Sequence, residues 1–91
     1  MTKEMTMPCI HLNGTSATEL TAQLTAAYRA CNAAIEALQE AAPNARDYYV
    51  ISPEAYPAAR REHEARMHRL ADIQHELLAI MENIDEQTDR S

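Results

Sequence analysis

The feature that most constrains this chain is the spacing of its apolar residues in two long segments. In the first segment they recur in alternating steps of four and three, at Leu20, Leu24, Ala27, Cys31, Ala34, Leu38 and Ala41. The second segment repeats such steps at His63, Arg66 or Met67, Leu70, Ile73, Leu77, Ile80 and Ile84. A period of about 3.5 residues is typical of helices that pack against another helix along their length. The spacing therefore predicts two long helices.

The sequence also predicts where these helices begin and end. Ser16 and Glu19 form a capping box, so helix one is expected over residues 16–42, after an extended segment 1–15. Residues 43–57 hold three prolines and read as a connection. Helix two is expected over residues 58–86, followed by a polar tail 87–91. Its first turn has two alternatives: it begins at Pro53 and is distorted by Pro57, or the helix starts near Tyr56. The predicted fold is all-α, a single domain with an antiparallel hairpin of two long helices.

Composition excludes several classes of protein. One Gly, no Trp and no Phe argue against a β-sandwich and against a Gly-rich phosphate loop. No apolar stretch approaches the ~20 residues that span a bilayer, and we expect no secretory signal. Cys9 and Cys31 fit free thiols in a reducing cytoplasm.

One seam between two helices is a thin core for a chain of 91 residues. We therefore expect a helical-bundle homo-oligomer, a dimer or larger. Its interface is predicted on the apolar face formed by Leu77, Leu78, Ile80, Met81 and Ile84.

Charge is distributed unevenly in a chain of net charge −6. Residues 43–69 carry five of the eight cations and are net +1, whereas residues 70–91 are net −5. An acidic chain is a poor binder of duplex nucleic acid, so no such partner and no membrane partner are expected. The arginines of the middle third fit either a solvated helix face or a local anion site.

The first candidate site lies just before helix one and consists of His11, Asn13, Gly14 and Thr15. It holds the only Gly of the chain, next to a helix N-terminus where backbone N–H groups favour anions. The alternative is an ordinary turn that leads into the N-cap. Alternation predicts that Ile10 and Leu12 pack inward while His11 and Asn13 face out.

The second candidate site lies in the connection and consists of Arg46, Asp47, Tyr48 and Tyr49, with Arg60 nearby. Arg61 and His63 are also close in sequence, and one or more of these three side chains could line the same site. A guanidinium can bind a phosphate through two parallel hydrogen bonds, and a phenol ring offers a face on which a base can stack. The alternative is that both tyrosines close the end of the hairpin while Arg46 and Asp47 pair on the surface.

Metal and enzyme chemistry have weak support in the sequence. His63 and His68 are five residues apart and do not share a helix face, and Cys9 with His11 lacks further ligands. No Ser or Cys has a recognisable catalytic partner. We expect no metal, no cofactor and no enzymatic activity.

Three strings together resemble a family of small proteins encoded by tailed phages and prophages. They are residues 11–16 (HLNGTS), 43–49 (PNARDYY) and 59–66 (ARREHEAR), and the resemblance covers roughly residues 10–84. The layout is also loosely similar to that of phage sponge proteins, which are small helical oligomers that sequester nucleotide signals of bacterial immune systems such as CBASS and Thoeris. This second similarity is one of architecture only.

The similarity of layout to sponge proteins implies an anti-defence protein that binds a cyclic nucleotide or cyclic ADP-ribose type of signal without cleaving it. The alternative function is a structural adaptor, or an inhibitor of a protein, acting through acidic helix faces. In one antiparallel hairpin the two candidate sites lie at opposite ends. They form a single pocket only across subunits, or if residues 1–15 fold back.

Overall fold

The computed structural model describes residues 4–89 and consists of two long helices folded into a hairpin. Helix α1 spans Ala17–Glu40 and helix α2 spans Ala55–Asp89, with a short 3-10 turn at Ala45–Asp47 between them. The described residues include no β-strand, and the particle measures 62 × 27 × 18 Å. The predicted all-α helical hairpin is thus confirmed. Neither described helix is long and apolar enough to cross a membrane.

Local chemistry explains the two ends of α1. The Ser16 hydroxyl accepts a hydrogen bond from the backbone N–H of Glu19 at 3.1 Å, as the capping box predicts. At the other end the N–H of Ala41 bonds to the carbonyls of Ala37 and Leu38. Pro43 follows two residues later, where a helix cannot continue.

Pro57 does not disturb α2, because it lies within the first turn. The first helical residue is Ala55, close to the later of the two predicted starts. The N–H of Ala58 bonds to the carbonyl of Glu54 at 3.1 Å. The four leading N–H groups of a helix have no partner within it, so the N–H that proline lacks at position 57 breaks no helical bond.

The seam of α1 differs in part from its prediction. Five of its seven predicted residues are half-buried, but Ala27 and Ala41 are exposed. Tyr28 and Ile35, which were not assigned to the seam, turn toward α2 instead. Ala27 and Tyr28 lie three and four residues after Leu24, and both spacings place a side chain on the same helix face as Leu24. The larger side chain, that of Tyr28, takes the position that faces α2.

The seam of α2 contains a polar residue where an apolar one was predicted. Gln74 is buried, whereas Ile73 keeps 45% of its surface exposed. The Gln74 amide donates to the carbonyl of Tyr28 at 3.2 Å and to Asn32 Oδ1 at 3.5 Å. A buried amide is tolerated when it finds such partners on the facing helix.

The hairpin has little fully buried apolar volume. Among the described residues Ile84 is the one apolar side chain that is essentially inaccessible, at 1% exposure. Ile84 was predicted to belong to the apolar face that packs on another copy, but it is buried within the single chain. Leu78, from the same predicted face, remains 40% exposed.

The N-terminal segment is held against the far end of α2. The side-chain amide of Gln87 accepts from the N–H of Ile10 at 2.9 Å and donates to the carbonyl of Pro8 at 2.8 Å. Gln87 was predicted to begin a frayed tail, but the helix continues to Asp89. The remaining tail positions 90–91, like positions 1–3, lie outside the described residues.

Candidate ligand-binding site

The two predicted site groups lie at opposite ends of the hairpin. His11, Asn13, Gly14 and Thr15 precede α1, at the end where Gln87 holds the preceding residues. The second group sits beyond the other end of α1, in the connection. Pro8 and Ile10 are bonded to Gln87 near the C-terminal end of α2, so one chain does not bring the groups together.

The N-terminal group forms an exposed turn. The N–H of Gly14 bonds to the carbonyl of His11 at 3.1 Å, and the His11 ring lies over the glycine. A Cβ at position 14 would be 2.9 Å from His11 Nε2, so the glycine provides room for the ring, and its φ is not positive. Leu12 was predicted to pack inward with Ile10 but is 98% exposed, while Ile10 is half-buried.

The connection group is organised by Asn44. Its side-chain oxygen accepts from the N–H of Arg46 at 3.1 Å and its carbonyl accepts from the N–H of Asp47 at 3.0 Å, which closes the 3-10 turn. Both charged side chains are exposed. They do not form the surface pair considered as an alternative, since the ion pair found within residues 4–89 joins Arg60 and Glu64.

The two adjacent tyrosines have different surroundings. The Tyr48 ring is half-buried and lies 6.4 Å from the Tyr56 ring, centroid to centroid, at an angle of 45°. This is a favourable tilted geometry for aromatic rings. Tyr49 is 72% exposed. Only Tyr48 therefore closes the end of the hairpin, and Tyr49 is free to contact another molecule.

A basic groove begins at Tyr56. It has a volume of ≈ 300 Å³ and is lined by Tyr56, Pro57, Arg60, Arg61 and Glu64. These residues are spaced by three or four along one face of α2. The Arg60 Nε lies 3.3 Å from Glu64 Oε1, and both side chains are solvent-exposed. Arg60 was predicted as a site residue and Arg61 was considered beside it, and both line this groove.

A second groove lies between α1 and α2 and is mostly apolar. Its volume is ≈ 450 Å³. Its lining residues are Ile35, Gln39, Ala42, His63, Glu64, Met67, His68 and Ala71. We call it the apolar groove.

His63 forms the most enclosed polar part of the apolar groove. It is only 9% exposed, whereas His68 on the rim is exposed. The sequence argument considered only the faces of one helix. It therefore did not predict that both histidines line a groove formed between two helices. The position of His63 at the head of the α2 seam was the available signal that it would turn inward.

No group of three or more His, Cys, Asp or Glu side chains within the described part of the chain could hold a metal ion. Cys9 and Cys31 are free thiols, the first exposed and the second half-buried.

Comparison with known proteins adds no functional assignment. No protein-family model, curated protein or solved structure matches the chain. What the two grooves bind has to be inferred from their own side chains, and the resemblance to phage-encoded proteins stays a prediction.

Proposed function

We propose that this protein binds and sequesters a small phosphate-bearing molecule derived from a nucleotide at its connection end, without cleaving it. The observation that carries the proposal is the grouping of two arginines with an aromatic pair. The Tyr56 ring, in contact with Tyr48, lines the same groove as Arg60 and Arg61. Guanidinium groups bind phosphate and ring faces bind bases, so this grouping suits a nucleotide.

Local electrostatics favour an anion at this end. Residues 43–69 are net +1 in a chain of net charge −6, and one of their cations, Arg46, is exposed in the connection. The Arg60–Glu64 pair is solvent-exposed. Such pairs contribute only about 0–1 kcal/mol, so a phosphate can replace the carboxylate at little cost.

The cations of the groove are suited to holding a phosphate. Its two cations are guanidiniums, which stay protonated and therefore do not transfer protons. Arg61 has no partner in an ion pair among the described residues. A fixed positive charge stabilises a bound phosphate in its ground state, as sequestration requires.

The biological setting is suggested by the resemblance of the strings at residues 11–16, 43–49 and 59–66 to phage-encoded proteins, together with the similarity of layout to phage sponge proteins. On that basis the proposed ligand is a bacterial immune signal of the cyclic nucleotide or cyclic ADP-ribose type. The protein would act inside the infected bacterium as an anti-defence protein.

Self-association is part of the proposal. The particle is long and thin, Ile73 and Leu78 remain substantially exposed on α2, and the fully buried apolar core is small. A second copy packed antiparallel on these residues would bring its own N-terminal group beside the first copy's connection. His11, Asn13 and Thr15 would then complete the pocket from the neighbouring subunit.

The proposal is tested by calorimetry and thermal shift with cyclic dinucleotides, cyclic trinucleotides and cyclic ADP-ribose isomers. The expected result is binding that weakens roughly 10- to 100-fold in Arg61→Gln, because a charge-assisted hydrogen bond contributes about 1.5–3 kcal/mol. Tyr48→Ala should also weaken binding, whereas Arg29→Gln, an exposed arginine of α1, should not. Failure of every nucleotide to bind, or equal loss in the Arg29 variant, would refute the proposal.

A second candidate function is favoured by the apolar tip of the connection. Tyr49, Val50 and Ile51 are all exposed, at 72%, 73% and 69%. Together with the acidic stretch 70–91, this tip fits an adaptor or an inhibitor that docks on a basic protein partner. Val50→Ser with Ile51→Ser would then abolish partner binding and leave nucleotide binding unchanged.

A further inference from the structure

The apolar groove contains a buried imidazole with no protein partner. His63 is 9% exposed, and no hydrogen bond or ion pair within residues 4–89 involves its ring. Neither ring nitrogen is completely sealed, since the described residues include no fully inaccessible side-chain polar atom that lacks a partner. The ring can therefore still be reached from the groove that it lines.

The His63 ring is therefore available to a ligand that enters the apolar groove. Polar side chains that are largely buried are nearly always hydrogen-bonded, and with no protein partner the His63 ring bonds to water or to a ligand in the groove. A neutral imidazole offers one donor and one acceptor. A ligand that suits this groove has hydrogen-bonding groups along one edge, which face the His63 ring. The rest of the ligand is apolar enough to lie against Ile35, Met67 and Ala71.

The apolar groove and the basic groove are adjacent. Glu64 lines both of them, which shows that the two grooves follow each other along one face of α2. From Arg60 to Met67 is seven residues, or about 10 Å along the helix axis at a rise of about 1.5 Å per residue. A molecule of nucleotide length reaches from one groove into the other.

We propose that the apolar groove holds the uncharged heterocyclic base of the ligand whose phosphate is bound in the basic groove. The base lies between Ile35 and Met67, and its edge hydrogen-bonds to the His63 ring. This inference rests on the proposed function, since it assigns the base-binding part of the same site. The groove volume of ≈ 450 Å³ falls in the usual range of small-molecule pockets, which is roughly 300–1,000 Å³.

The experiment separates the two parts of the ligand. The full chain is titrated with adenosine, with guanosine and with inorganic pyrophosphate, while NMR follows the ring signals of His63, the methyl signal of Met67 and the guanidinium signal of Arg61. A nucleoside should shift His63 and Met67, and pyrophosphate should shift Arg61 alone. A cyclic dinucleotide should shift all three.

Variants supply the second measurement. His63→Leu keeps an apolar side chain in the groove and should weaken nucleoside binding about tenfold, the loss expected for one hydrogen bond to a buried partner, with pyrophosphate binding unchanged. His63→Gln should restore part of the affinity. His75→Leu, which changes an exposed histidine of α2 outside both grooves, should have no effect.

The results that contradict these expectations show whether the base-binding groove alone or also the proposed function fails. Pyrophosphate and nucleotide binding without any nucleoside shift at His63 or Met67 would overturn the base-binding groove and leave the proposed function standing. Absence of binding by all probes would overturn both. A His63 signal that moves with protein concentration, and not with nucleosides, would show that a second copy fills the groove, which also overturns the inference.

Discussion

Truncation of Ile84 tests how far one side chain supports the isolated hairpin. Ile84 is 1% exposed, so Ile84→Ala removes buried methyl groups and leaves a cavity. Such changes cost about 2–5 kcal/mol. Small domains have total stabilities at the lower end of about 5–15 kcal/mol. We therefore expect this variant to lose a large part of its free energy of unfolding.

Ile73 provides a matched control on the same helix. Its side chain is 45% exposed, so truncation to Ala removes roughly half of the about 1.5–3 kcal/mol that full burial of an isoleucine contributes. No closed cavity forms, because the site is open to solvent. The expected cost of Ile73→Ala in the monomer is therefore about 1 kcal/mol.

The assay is urea unfolding followed by far-ultraviolet circular dichroism, at a low and a high protein concentration. At the low concentration Ile84→Ala should lose at least twice as much stability as Ile73→Ala. At the high concentration the cost of Ile73→Ala should rise if a second copy covers this residue, because association stabilises the folded state by mass action. Equal costs for both variants at the low concentration would refute the assignment of Ile84 to the core of the single chain.

Three further substitutions probe individual hydrogen bonds. Gln87→Ala should speed amide hydrogen exchange at Ile10, because the side chain that accepts from this N–H is gone. Ser16→Ala should cost about 1 kcal/mol of unfolding free energy, measured by urea, because the N–H of Glu19 loses its cap. Gln74→Glu should cost about 2–3 kcal/mol at neutral pH, since it buries a charge facing backbone and side-chain acceptors.

Each of these substitutions has a control at an exposed position of the two helices. Glu86→Ala should leave exchange at Ile10 unchanged, and Thr18→Ala should cost less than the loss of the Ser16 cap. Gln23→Glu makes the same chemical change as Gln74→Glu on an exposed face and should be nearly neutral. Indistinguishable results within any of the three pairs would contradict the corresponding hydrogen bond.

Features that depend on local chemistry could be predicted from the sequence. The Ser16 cap, the helix-breaking effect of Pro43 and the two helical seams each involve residues within one or two turns of each other. The seam also indicated an inward orientation for His63, which the structure places in the apolar groove. Short-range rules were sufficient here because the helices are long and the connection is rich in proline.

Features that depend on contacts between distant residues could not be predicted in this way. Gln74 replaces Ile73 in the seam because its amide finds acceptors on α1, more than forty positions earlier in the chain. Gln87 belongs to the helix and holds the N-terminal segment through bonds to Pro8 and Ile10. Their polarity left Gln74 out of the predicted seam and placed Gln87 in the tail, since polarity does not reveal a partner supplied by another element.

The apolar groove exists because small side chains stand where larger ones would fill the interface. Ala42 and Ala71 line it, and Ala71 is half-buried. Ala71→Leu should fill part of this space and raise the free energy of unfolding by about 0.5–2 kcal/mol, as cavity-filling substitutions commonly do.

The same substitution separates a ligand site from an unfilled packing gap. If the groove holds a base, Ala71→Leu makes the protein more stable and abolishes nucleoside binding, while pyrophosphate binding at Arg61 persists. Urea unfolding and calorimetry on the same preparation measure both effects. A more stable variant that binds nucleosides as well as the unaltered chain does would place the base elsewhere. Stability lost together with binding would instead show that the leucine does not fit, and the smaller Ala71→Val then repeats the test.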